Sequence, residues 1–156
     1  HGEKLYRRSL YTYWKRTAPP PSMMAFDAPN REVCTVARGN TTTPLQALVA
    51  LNDVQFVEAA RVFAERALAA RGNDAAKLRW AFGECLSRAP TAQELAVLTA
   101  ALQRERMRYE KNESAARAFL TAGEAPRDER LPAVEHAAWS QVAALLLNLS
   151  ETVTRN

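Results

Sequence analysis

Cysteine, histidine and glycine are scarce in this chain, and each shortage removes a class of protein. The 2 cysteines, Cys34 and Cys85, are too few for a disulfide scaffold. They are also far apart, so a haem-attaching Cys-x-x-Cys-His motif is excluded. The 2 histidines, His1 and His136, have no cysteine near them and do not make a zinc ligand set. His136 reads as a surface or hydrogen-bonded helix histidine. With only 5 glycines there is no glycine-rich phosphate loop, and a turn-dense β fold is disfavoured. Arg38-Gly39-Asn40 carries a single glycine and leads into no Gly-Lys-Thr, and no nucleophile elbow occurs. The longest apolar run, Val142 to Leu147, is far too short to span a bilayer. The chain opens on His1-Gly2 without a methionine, so the expectation is a piece of a longer protein.

What is present is ordinary globular material. The 156 residues, 47% hydrophobic and 24% charged, suit one domain with its own core. The charge is unevenly placed. Residues 1–38 hold 7 basic and 3 acidic side chains, and the remainder holds 14 of each sign, so the whole net charge of +4 lies in the first quarter. Such a segment suits an acidic partner, an anionic ligand or nucleic acid. The plainer reading, which we favour, pairs it with acids of an upstream region. Nucleic-acid binding would rest on this local charge alone and is not expected.

From residue 43 onward the chain reads as consecutive helices, giving an all-α, irregular helical bundle over residues 43–156. Thr43-Pro44-Leu45-Gln46 and Thr91-Ala92-Gln93-Glu94 are capping boxes, in which a threonine and a Gln or Glu three residues on satisfy each other's backbone N–H. Asn52 or Asp53 recaps the chain for a helix burying Phe56, Ala60, Phe63 and Ala67, with Gly72 beyond its end. Asp74 is expected to cap the next, whose Leu78, Ala81, Phe82, Cys85 and Leu86 share one apolar face. That placement favours a buried Cys85 thiol over a bridge to Cys34. In the long helix after Thr91, the charged end Arg104 to Lys111 is expected to be solvated. A final helix from Pro132 carries so broad an apolar stripe, with Trp139, Leu146 and Leu147 widening it, that it should be central and buried on most sides.

The first 42 residues follow no such pattern. Lys4 to Arg16 could form a helix aligning Tyr6, Leu10 and Trp14, or a strand with Tyr11 and Tyr13 on one side; we favour the helix. Thr17 to Thr42 holds Pro19-Pro20-Pro21 and no helical period, predicting a long, mostly non-helical segment packed on the bundle or on an upstream region. Two constellations there are candidate contact sites. Tyr11, Trp14, Lys15 and Arg16 interleave aromatic and basic side chains, which can stack on sugars or bases and grip anions. Arg38, Asn40 and Thr41 precede a helix N-terminus, where backbone N–H groups favour anions. Core packing of the aromatics and simple capping by the threonines are the competing explanations. No residue of the chain presents itself as catalytic or metal-binding.

Several blocks are specific enough to carry a family resemblance. Arg7-Arg8-Ser9-Leu10-Tyr11-Thr12-Tyr13-Trp14-Lys15-Arg16-Thr17-Ala18-Pro19-Pro20-Pro21, Phe26-Asp27-Ala28-Pro29, Arg31-Glu32-Val33-Cys34 and Thr43-Pro44-Leu45-Gln46-Ala47-Leu48 are four of them. Asn52-Asp53, Phe56-Val57-Glu58-Ala59-Ala60-Arg61 and Asn148-Leu149-Ser150-Glu151-Thr152-Val153 complete the set. Together they resemble the planctomycete-type domain of unknown function numbered fifteen fifty-three, over its C-terminal part. One departure is Thr41-Thr42-Thr43-Pro44, where the family pattern has Thr-Asn-Thr-Pro. The resemblance implies a large extracytoplasmic bacterial protein, secreted or at the cell surface. It implies cytochrome-c-like modules, and hence any c-type haem, elsewhere in the parent protein and no cofactor in this chain. The implied partners are the upstream domain of the same protein and a redox or cell-surface partner, and the family assigns no catalytic residues. The function expected is that of a structural or interaction domain. Its alternative is half of a ligand-binding or enzymatic site, for an anionic or carbohydrate ligand, completed by the upstream part.

Overall fold

The computed structural model describes residues 2, 6, 8–15, 17–29, 31–37, 39 and 41–154. Among these the fold is all-α. The helices are α1 (Pro21–Ala25), α2 (Pro44–Asn52), α3 (Val54–Ala69), α4 (Asp74–Leu86), α5 (Ala92–Glu110), α6 (Glu113–Phe119), α7 (Ala133–Leu147) and α8 (Ser150–Val153). Outside them, Lys15 and Ala18 form an isolated bridge pair.

The helix starts follow the capping chemistry. Thr43 Oγ1 accepts the Gln46 N–H at 3.2 Å while Gln46 Oε1 accepts the Thr43 N–H at 3.0 Å. Thr91 and Glu94 repeat the exchange at 3.2 and 2.7 Å. Asp53 caps α3. Asn73 rather than Asp74 caps α4, accepting the Ala76 N–H at 3.0 Å. The reason is one of register: Asp74 sits one residue inside the helix, where its carboxylate reaches Arg106 instead.

Helix α7 is the central element, as its broad stripe requires. His136, Ala137, Ala138, Trp139, Ser140, Val142, Ala143 and Leu146 are all buried. It packs most extensively on α3 and α5 and touches α2, α4, α6 and α8. Ala60, Ala64 and Ala67 of α3 meet the alanines of α7, and small side chains on both helices allow close approach. Leu78 and Phe82 from α4 and Leu98 and Leu102 from α5 close the core, while Phe56, Phe63, Cys85 and Leu86 are only half-buried. Cys34 and Cys85 are free, and burial together with Glu84 pushes the Cys85 thiol up to about 11.

The charged end of α5 is less solvated than its composition predicts. Arg104, Arg108, Glu110 and Lys111 are exposed as expected, but Glu105 is buried; Tyr109, on the apolar side with Leu98 and Leu102, is buried too, and its hydroxyl accepts from Gln141 Nε2 at 2.9 Å. Arg106 is clasped by Asp74 and by Glu135 of α7, which holds the Asp74 carboxyl below its ordinary value. Acids on two neighbouring helices therefore draw in a side chain that its own helix would leave in water.

The arm, residues 1–42, departs from expectation over Lys4 to Arg16. Lys4, Leu5, Arg7 and Arg16 lie outside the described residues, and among the others no α-helix forms: Tyr6 is in 3₁₀ conformation and Ser9–Tyr11 make a 3₁₀ turn. Arg8 and Thr12 on its flanks are extended, and Leu10 is 71% exposed, so no apolar face is buried to hold a longer helix. The extended alternative is reduced to the Lys15–Ala18 bridge, and Tyr11 and Tyr13 both face water. Thr17 to Thr42, expected to be mostly non-helical, contains the short helix α1, which starts with Pro21 at its first position, where the ring presets φ.

Candidate functional site

The residues that bring the arm, α3 and the loop between α6 and α7 together were not among the candidates read from the sequence. On α3, Glu58, Arg61 and Glu65 recur at helical spacing and form a charged stripe beside the alanine stripe that faces α7. Residues 123–128 lie over this stripe. Glu58 Oε2 accepts the Glu124 N–H at 2.8 Å, and Oε1 accepts the Ala125 N–H at 3.0 Å and the Tyr6 hydroxyl at 2.6 Å. Arg61, 1% exposed, donates to the Ala125 carbonyl and pairs with Glu65 at 3.2 Å. Glu65 accepts the Asp128 N–H at 3.4 Å. Buried charge is costly unless paired and hydrogen-bonded, and here Arg61 is partnered through both terminal nitrogens while its Nε has no hydrogen-bond partner.

Gly123 permits this approach. Its φ is +90°, a left-handed conformation, and a Cβ there would run into the Glu58 carboxylate. The bound loop also determines the protonation of the carboxylate. Burial pushes the Glu58 carboxyl up, but the Tyr6 hydroxyl, the two backbone N–H groups and Arg61 outweigh it and hold it below its ordinary value. The same bond to Glu58 raises the Tyr6 phenol. His136, fully buried, has its Nε2 3.2 Å from the Arg61 carbonyl, an oxygen that can only accept, so Nε2 carries the proton. Burial lowers its proton affinity.

Beside the stripe lies a cleft of about 480 Å³, with Tyr6, Glu58 and Ala125 on its polar side and Ala59, Val62 and Phe63 on its apolar side. Glu58 already accepts three hydrogen bonds, so its chemistry is that of a clamp rather than of a general base. The sequence carried a trace of this: Glu58 and Arg61 stand three apart amid alanines and valines, where a solvated face would show more polar neighbours.

The predicted contact residues divide into two groups. Tyr11 and Lys15 are exposed, and Trp14 is half-buried beneath Arg31, whose guanidinium carbon lies 5.2 Å from its ring centre. Thr41 donates through both its N–H and its hydroxyl to Asp27 Oδ2, at 2.8 and 2.7 Å, and Gln46 Nε2 approaches the same oxygen at 3.4 Å. The anion next to the start of α2 is thus the chain's own Asp27. Among the described residues, no hydrogen bond or ion pair joins Tyr11, Trp14 or Lys15 to Thr41. Arg16, Arg38 and Asn40 lie outside the described residues.

Fold and site together define an all-α domain with an internal charged clamp that ties a terminal arm to a helical bundle. Residues 1–102 match the family model described as protein of unknown function (DUF1553), PSD1, and the chain belongs to that family. No curated protein and no solved structure matches it.

Proposed function

We propose that this chain is a structural and interaction domain of a larger, extracytoplasmic and cytochrome-linked protein, whose arm and second helix form the contact surface for the upstream domain. The observation that carries this reading is the concentration of exposed apolar side chains there. Leu10, Tyr11, Tyr13, Val33 and Val36 are exposed in the arm, and Leu45 and Leu48 are exposed on α2. Helix α2 is apolar on both sides: Ala50 faces the bundle while Leu45 and Leu48 face outward, and a helix apolar all round is normally covered. Apart from the Cys85 thiol, the strongly shifted groups among the described residues are engaged in internal pairs such as Arg88 with Glu94 and Glu151, which favours architecture over catalysis.

A second reading, half of a ligand-binding or enzymatic site for an anionic or carbohydrate ligand, draws on the Trp14–Arg31 stack beside Lys15. The two separate in one experiment, in which the upstream part of the protein is supplied in trans to the wild type and to a Leu45→Asp, Leu48→Asp variant. Loss of association by the variant, with its circular dichroism intact, supports the contact surface. Undiminished association overturns it, and binding of an acidic polysaccharide that is lost in Trp14→Ala turns the assignment to the second reading.

A further inference from the structure

We propose that the ionised Glu58 carboxylate is a shared latch, holding the N-terminal arm through Tyr6 and the 123–125 loop through two backbone N–H groups, so that loss of its charge releases both together and opens the cleft between them. This goes beyond the contact-surface reading, because it concerns how the arm is held rather than what it meets.

The geometry makes the negative charge necessary. The donors arrive on different oxygens: the Glu124 N–H on Oε2, and the Ala125 N–H with the Tyr6 hydroxyl on Oε1. An ionised carboxylate accepts at both oxygens, whereas an amide, or a carboxylic acid bearing its proton, presents a donor or a weakened acceptor at one of them. Neither group can hold the arm and the loop as the carboxylate does. Gly123 brings the loop backbone so close that no side chain fits between, so the loop follows the carboxylate directly. The arm is tied to the same loop a second time, since Glu124 Oε2 accepts the Gly2 N–H at 2.7 Å.

Among the described residues, charged and titratable groups face Glu58 from three elements. Tyr6 faces Glu58 from the arm, Glu124 from the loop and Arg61 from α3 itself. His136 of α7 reaches the Arg61 carbonyl and Glu65 instead. Arg66, on the wall of the cleft, pairs with Glu84 at 3.1 Å. Because the folded-state affinity of Glu58 for a proton is lowered, the latch is closed above the ordinary glutamate value of about 4.5. It opens as the pH falls through the lower folded-state value.

The test follows backbone amides by nitrogen-15 correlation spectra in the wild type, Glu58→Gln and Tyr6→Phe. At neutral pH, Glu58→Gln speeds exchange of the Glu124 and Ala125 amides by about tenfold or more, the usual worth of a charge-assisted hydrogen bond, and frees residue 6. The amides of α7 keep their protection. Tyr6→Phe loosens residue 6 and leaves the loop amides protected. In the wild type, Tyr6, Glu124 and Ala125 titrate together, with a midpoint below that of an ordinary glutamate. Unchanged loop exchange in Glu58→Gln, or separate midpoints for arm and loop, overturns the latch. If Glu58→Gln does not fold, the wild-type titration and Tyr6→Phe decide the matter alone.

Discussion

Residues 43–154 and the arm before them are built from similar side chains and held in opposite ways. The bundle buries Trp139, Phe82, Leu78 and Leu102 almost completely around α7. Tyr6, Leu10, Tyr11 and Tyr13 of the arm are all more than half exposed. Point contacts secure it instead: Tyr6 on Glu58, Asp27 accepting from Gln46 of α2, and Phe26 against Phe56 of α3 with ring centres 5.6 Å apart. Apolar residues repeated at helical period cooperate in one core, whereas the same residues without a period are held one contact at a time.

That contrast can be tested from its strongest end. Trp139→Ala removes the largest fully buried side chain and should cost about 3–5 kcal/mol, enough to unfold the bundle or bring it near unfolding. A urea midpoint close to that of the wild type would mean that α7 is not the centre of the core. Gly123→Ala comes next. Its strained φ and the collision with Glu58 predict a cost of about 2 kcal/mol, with disturbed Glu124 and Ala125 amides and an intact α7. Equal loss of protection in α7 would show the loop to be part of the cooperative bundle.

Thr43→Ala sits at the junction of the two regions and should cost about 1 kcal/mol, the ordinary worth of an N-cap. The denaturation midpoint measures it, and no change would mean that Gln46 and Asp27 suffice to start α2. Tyr13→Ser should be the mildest, within about 0.5 kcal/mol, because the side chain is 84% exposed. A larger loss would place the arm in the folding unit and erase the distinction between the regions.

Much of the bundle was legible beforehand because its signals are local. A capping box needs only residues three apart, so Thr43 with Gln46 and Thr91 with Glu94 declare themselves. The breadth of the stripe on α7 likewise marks it as central, since each face must be covered. The candidate contact residues were chosen by local pattern too, and locality limited them. Thr41 was read with its neighbours Arg38 and Asn40, yet its partner is Asp27, 14 residues away. Asp74 was read as a cap, yet Arg106 claims its carboxylate from 32 residues away.

By itself, then, the sequence determined the all-α class, the capping-box starts at Thr43 and Thr91 and the centrality of α7, because periodicity and capping act within a turn or two of the chain. Only the tertiary structure decided which charges would be buried and what they would hold. Glu58 meets Glu124 and Ala125 across 66 and 67 residues, and Tyr6 across 52. Nothing in the local spacing of these residues encodes such a meeting. It arises when α3 packs on α7 and carries its charged stripe beneath the loop, where an ionised carboxylate must find donors or pay the full cost of desolvation.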